Sequence, residues 1–253
     1  MKFHRLILVV CFSSISLALS ASVPVVSVSA PSYSAKSITV KVLSQDFLGS
    51  GILLRQHRAV YTVLTNAHVI QAGDPPYRVQ TPDGKIYTAN LPQRLSFGKN
   101  DLAVLQFQSA DSMYAVASFG SSPTVGDDVF TAGFPAAEDA GKKQRFAFTS
   151  GKVALVLGKP LEGGYQLGFT NSIKNGMSGG PLLNSQGQVI GINGMQAYPL
   201  WDAPSVFVDG SKADERLHQR IIRLSWAVPI SKVIQKMPNA GNTKVETVFN
   251  QTD

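Results

Sequence analysis

The sequence predicts an all-β protein built as two small antiparallel β-barrels packed together. Three observations lead there. From Ile38 onward, short β-prone runs alternate with turn signals. The second half repeats the character of the first, with a crossing between them at residues 109–114. Helices alternating with parallel strands are missing from the pattern, and 22 glycines and 14 prolines favour turns over long helices. With 253 residues, 44% of them hydrophobic, the chain can bury a core of that size.

The elements follow in order. Residues 1–21 read as a secretory signal: a basic start at Met1 to Arg5, an uncharged apolar stretch from Leu6 to Leu19, and small residues before a cut near 20–22. The stretch is short for a membrane span, so no stable membrane insertion is expected after cleavage. Cys11, the single cysteine, leaves with it. A mature chain without thiols can form neither a disulfide nor a thiolate metal site, and together with export this points to a bacterial periplasm or a secreted protein. Losing Lys2 and Arg5 lowers the formal net charge from +7 to about +5. That excess comes without a dense basic cluster, so no nucleic-acid partner is expected. Residues 22–37, rich in Ser, Pro, Ala and Val, read as a flexible lead-in.

In the first half, Ile38 to Val42 is a strand followed by a turn at Gly49-Ser50-Gly51. Ile52 to Leu54 and Ala59 to Leu64 flank a polar hairpin tip. Tyr77 to Gln80 and Lys85 to Ala89 flank Thr81-Pro82-Asp83-Gly84, a strong hairpin signal. Leu102 to Phe107 is nearly all apolar and reads as a buried strand. In the second half, strands are expected at Val129 to Gly133, Arg145 to Leu157, Tyr165 to Phe169, and as a hairpin of Pro181 to Leu183 with Gln188 to Ile192. A polar loop covers Ala136 to Gln144. Leu224 to Val228 is the last strand, and Ile230, Val233, Ile234 and Met237 recur at helical spacing.

The chemistry centres on Asn175-Gly176-Met177-Ser178-Gly179-Gly180-Pro181. Glycines let the main chain bend sharply, so Ser178 can be presented as a nucleophile with N–H groups beside it; the same composition also suits a plain turn. A serine needs a base to take its proton and a group to orient that base. Of the four histidines, His4 leaves with the signal and His57 sits in the polar hairpin tip. His68 stands where a strand gives way to one helical turn, which suits either a catalytic base or a satisfied structural histidine. Asp101 precedes the buried strand, where a carboxylate is costly unless paired; a turn aspartate is the plainer reading. A rival arrangement reads Gly176 to Gly180 as a G-x-S-x-G elbow, with Asp202 or Asp209 and His218 completing it. That fold needs a helix at the serine, and the sequence offers Gly-Gly-Pro and a hairpin.

On these motifs the chain resembles a chymotrypsin-fold (trypsin-like) serine protease, closest to the bacterial HtrA/Deg type. The resemblance covers Ile38 to Met237 and rests on Leu64-Thr65-Asn66-Ala67-His68-Val69, Asn100-Asp101-Leu102-Ala103-Val104-Leu105, Gly176 to Pro181 and Gly191-Ile192-Asn193. It implies two six-stranded antiparallel barrels with a short C-terminal helix: a domain at 38–237, the N-barrel about 38–112, the C-barrel about 113–228, a helix at 229–237 and a tail at 238–253. It implies a His68, Asp101 and Ser178 triad in the cleft, and an oxyanion hole from the N–H groups of Gly176 and Ser178. An acyl-enzyme would form on Ser178 and be hydrolysed by water. Ser172 would lie near the floor of the specificity pocket and Met195 near its wall; neither is charged. Partners would be polypeptide substrates, with no metal or organic cofactor. Such proteases usually carry PDZ domains after the protease, and 238–253 is too short for one. Residues 196–224, beside the pocket, read as a surface insertion with a helical turn, or alternatively as a lid or partner-binding element. The competing function is a protease-fold binding or chaperone-like protein with a gated or inactive site.

Overall fold

A computed structural model describes residues 30–93, 95–137, 144–198 and 205–237; the expected signal, the tail and Asp202 lie outside them. Twelve strands are named among the described residues, with four short helices.

The first six strands are β1 (Thr39–Leu43), β2 (Phe47–His57), β3 (Val60–Thr65), β4 (Tyr77–Gln80), β5 (Ile86–Ala89) and β6 (Ala103–Gln108). They pair antiparallel in the order β5-β4-β1-β2-β3-β6. The two edges approach at one rung, where Asn90 and Gln106 exchange backbone hydrogen bonds of 2.9 Å each, so this barrel is nearly closed. Side chains alternate across a strand, and Val40, Val42, Tyr61, Val63, Leu105 and Phe107 fill the interior. Tyr61 stacks on Phe107 with ring centroids 5.3 Å apart.

The second six are β7 (Asp128–Gly133), β8 (Ala147–Val156), β9 (Leu167–Phe169), β10 (Pro181–Leu183), β11 (Val189–Met195) and β12 (Ser225–Pro229). They close into a barrel in the order β10-β11-β12-β9-β8-β7, around Val129, Val153, Phe169, Leu182 and Ile190. A third cluster draws on both barrels, with Ile52, Leu54 and Leu64 from the first and Ala132, Leu183, Ile192 and Trp226 from the second. The all-β, double-barrel architecture is therefore the one the sequence predicts.

Two expectations need correction. The segment 22–37 was expected to be flexible, yet Ala30–Ile38 forms helix α1. Its Ala35 and Ile38 are buried in the shared cluster, and Thr39 Oγ1 donates to Ala35 O at 2.6 Å. A short helix needs such packing, because its own propensity is weak. The other correction is Gly49-Ser50-Gly51, which lies inside β2 and not in a turn; it pairs with Val40, Lys41 and Val42. The reversal comes earlier, at residues 44–46. The glycines serve close approach: a methyl at Gly51 would lie 2.7 Å from Val63 Cγ1, and one at Gly49 would lie 2.9 Å from Val69 Cγ2.

The remaining helices are α2 (Ala67–Gln71), α3 (Glu215–Ile221) and α4 (Ser231–Lys236). Helix α3 belongs to the expected insertion. Asp214 caps it by accepting from Leu217 N at 2.8 Å, and Ile221 O accepts from Trp226 Nε1 at 2.9 Å, which fastens the helix to the second barrel.

Candidate active site

Where β3 ends, Asn66 turns the chain into α2 with an extended backbone, and His68 stands in the first turn of that helix. Asp101 lies in the bend that precedes β6. The two meet through a pair of contacts. Asp101 Oδ1 accepts from the His68 backbone N at 2.9 Å, and Asp101 Oδ2 lies 2.6 Å from His68 Nδ1. An ionised carboxylate only accepts, so Nδ1 carries the proton, and in the neutral imidazole the lone pair is on Nε2. Asn66 Nδ2 donates to Asp101 O at 2.7 Å and holds the bend against α2.

Asp101 is well covered, with 14% of its side chain exposed, whereas His68 is 45% exposed. Burial pushes the Asp101 carboxyl up, but the hydrogen bond and charge of His68 and the Tyr165 hydroxyl outweigh it and hold the group below the usual carboxylate range. Tyr165, just before β9, donates its hydroxyl to Asp101 Oδ2. Sequence reasoning missed this residue; the signal was Gly163-Gly164, two glycines of positive φ that let a buried tyrosine turn inward.

Ser178 sits in the turn before β10, held against the first barrel. Ser50 N donates to Ser178 O at 2.9 Å. Ser50 is wholly buried; its hydroxyl donates to Gly176 O at 2.8 Å and accepts from Phe134 N at 2.9 Å. This clasp was also missed, because Gly-Ser-Gly was read as a turn. Gly49 lies between the two loops: a methyl there would meet Val69, next to His68, and the Ser178 carbonyl at 3.2 Å. The Ser178 loop and the His68 helix therefore flank the same stretch of β2.

Two anchored carbonyls fix the loop's peptide planes. Asn175 O accepts from Ala136 N at 2.8 Å, and Met177 O accepts from Gly180 N at 3.1 Å. In a trans peptide the N–H points opposite the carbonyl, so the Gly176 and Ser178 N–H groups are turned away from those anchors. Among the described residues, neither N–H donates to a protein acceptor. Gly176 has φ +90°, and a methyl there would lie 2.6 Å from Phe134 O. Gly179 has φ +85°, and a methyl there would overlap Ser50 O.

Ser172 is exposed in the segment after β9. Met195 ends β11 half-buried, opposite Trp226 and against the shared cluster. The elbow reading is overturned, since Ser178 is followed by a turn and a strand. Asp209 pairs with Lys159 Nζ at 2.6 Å, and His218 Nδ1 faces Ser205 Oγ at 3.0 Å. His57 is exposed at the end of β2.

The Trypsin-like peptidase domain family matches residues 49–192, a span that contains the His68–Asp101 pair and the Ser178 loop. The chain belongs to that family. It is 33% identical over 153 residues to the serine protease Do-like HtrA of Bacillus subtilis, covering 58% of this chain and 33% of that one. It is 36% identical over 150 residues to the periplasmic pH-dependent serine endoprotease DegQ of Escherichia coli, covering 58% and 30%. It thus spans about a third of the length of these curated relatives, and its peptidase domain is of the HtrA/Deg type. A serine endoprotease from Yersinia pestis shares the fold, with a TM-score of 0.56 at 22% identity, covering 84% of this chain and 65% of that one.

Proposed function

We propose that this protein is an exported serine endopeptidase that cleaves polypeptides through Ser178, His68 and Asp101. The observation that carries the reading is the His68–Asp101 pair, held by a 2.6 Å contact at Nδ1, with Val69, the residue after His68, and the Ser178 carbonyl both close to Gly49 of β2. Ser178 Oγ attacks the scissile carbonyl as His68 takes its proton. Asp101 fixes the tautomer and stabilises the imidazolium. The Gly176 and Ser178 N–H groups receive the developing oxyanion. His68 then protonates the leaving amine, and water hydrolyses the acyl-enzyme by the reverse path. Export rests on the basic and apolar character of residues 1–21, and a periplasmic or secreted destination agrees with the periplasmic character of DegQ. Placed near the pocket by the family resemblance, the uncharged Ser172 and Met195 favour a small or medium apolar residue at the cleaved position.

A fluorophosphonate probe tests the reading. The purified wild type is expected to be labelled and Ser178→Ala left unlabelled, with casein or peptide-library cleavage lost on the order of 10⁶-fold in kcat. Equal labelling of both proteins, or no labelling of either, would overturn it. Library products cut mainly after Lys, Arg, Asp or Glu would overturn the pocket assignment alone.

A further inference from the structure

We infer that Tyr165 is a positioning residue for the Asp101–His68 pair, a hydroxyl that the second barrel places on the carboxylate of the first. The inference rests on the triad reading above. Tyr165 Oη donates to Asp101 Oδ2, the same oxygen that faces His68 Nδ1. Asp101 Oδ1 is engaged by the His68 N–H. The carboxylate is thus held at three points, and only the tyrosine comes from outside the first barrel.

The surroundings are shaped for this tyrosine. It is 7% exposed and packs in the cluster shared by both barrels. Asp101 N donates to Gly163 O at 2.8 Å, and Asn100 bridges Gly163, so the loop carrying Tyr165 is fastened to the bend carrying Asp101. Gly163 would place a methyl 2.8 Å from the Tyr165 ring, and Gly164 would place one on the Asn100 side chain. On the other side, a methyl at Gly194 would overlap the Tyr165 hydroxyl. Gly194 is outside the glycines of positive φ, so its backbone accepts other residues. Its lack of a side chain is what leaves room for the phenol.

The phenol is a neutral donor. Burial and then the Asp101 charge push Tyr165 well above its ordinary value, so its proton stays on the oxygen through the working range of the enzyme. A neutral donor on Oδ2 aligns the carboxylate and draws charge away from the His68 contact. Its loss has two consequences. The pair is less well held, which lowers kcat. The carboxylate also becomes a stronger counter-charge for the imidazolium, which moves the acid limb of the pH–rate profile to higher pH.

The test uses the purified full chain and its pH–rate profile. Tyr165→Phe keeps the buried ring and removes the hydroxyl. Expected are a fall in kcat of about 10- to 100-fold, the size of one hydrogen bond to a charged group, with KM little changed. The acid limb of kcat/KM moves to higher pH by about 0.5 unit or more. A merely structural tyrosine would leave that limb in place. A second comparison moves the hydroxyl to the facing position: Tyr165→Ala with Gly194→Ser is expected to be at least about 10-fold more active than Tyr165→Ala with Gly194→Ala. Ser178→Ala runs alongside. If Ser178→Ala is inactive while Tyr165→Phe keeps the wild-type kcat and acid limb, or the two double variants are equal, this inference is overturned and the triad stands. If Ser178→Ala retains activity, the triad reading itself has failed.

Discussion

The hydroxyl of Ser50 sits out of water between two partners, Gly176 O and Phe134 N. Ser50→Ala takes the partner from a carbonyl and an amide of two half-buried residues at once. The expected cost is about 1–3 kcal/mol, since unmade buried bonds lose the desolvation energy of each group. Differential scanning calorimetry reads this as a fall in Tm of about 2–4 °C per kcal/mol for a domain of this size. Activity is expected to fall further than stability suggests. The Gly176 carbonyl is one of the fixed points of the loop that orients the Gly176 and Ser178 amides, the proposed oxyanion donors, and losing one such donor costs about 10²–10³ in kcat. Unchanged kcat with lowered Tm would make Ser50 a packing residue only. Asp101 gives the pH-dependent counterpart. Its folded value lies below its unfolded one, near 3.9, so ionised Asp101 stabilises the fold fully above the unfolded value, and this contribution is lost as pH falls through the folded value. The Tm gap between the wild type and Asp101→Asn is therefore expected to hold steady above about pH 5 and to narrow as pH falls below about 4, while kcat of the variant at neutral pH is lower by about 10⁴-fold. A gap that widens on acidification would contradict the sign.

At the scale of elements, α3 shows how far a local pattern carries. Leu217, Ile221 and Leu224 recur near helical spacing in the sequence, and the helix forms there with Asp214 as its cap. Asp214→Ala is expected to cost about 1 kcal/mol, the usual value of such a cap, with faster amide exchange confined to α3. Short-peptide kcat/KM is expected to stay within about twofold, because the helix is fastened to the barrel through Trp226 and Ile221. A tenfold change would make the segment a lid. Strands with alternating or continuous apolar runs were equally legible, as at Tyr77 to Gln80 and Leu102 to Phe107. The failures share one cause, since Gly49-Ser50-Gly51 and Ala30–Ile38 are decided by contacts distant in sequence. Glycine signals a turn locally, but here Val63 and Val69 require its small size inside a strand. Ala35 and Ile38 form a helix because a cluster from both barrels receives them. The site divides the same way. His68, Asp101 and Ser178 stood out as candidates by residue type and setting, and the family resemblance joined them into the proposed triad. Tyr165 and Ser50 act by crossing from one barrel to the other, and no local pattern announces a crossing.

Those crossings set what the whole molecule must do. Each barrel has its own apolar interior, Val63 and Leu105 in one, Phe169 and Leu182 in the other. Each half thus has a core of its own beside the cluster shared by both, and the proposed site needs the halves in register. The contact at Asn100, Asp101, Gly163 and Gly164 is one place where that register is fixed, and Gly164 is its tightest point. It has φ +82°, and any side chain there would meet Asn100. Gly164→Ala adds about 1–2 kcal/mol of backbone strain and pushes the loop off the Asp101 bend, taking Tyr165 with it. Leu105→Ala empties part of the first barrel and is expected to cost about 2–5 kcal/mol. The two variants should separate stability from activity. Leu105→Ala is expected to lower Tm more, yet keep most of its kcat at temperatures where it remains folded. Gly164→Ala is expected to lose at least about tenfold in kcat for a smaller fall in Tm, because the barrels stay intact while the carboxylate loses a fixed point. Measuring kcat and Tm for both, at one temperature well below either transition, decides the matter. Equal ratios of activity loss to stability loss would mean that the site follows global folding and that the register between the barrels has no separate role.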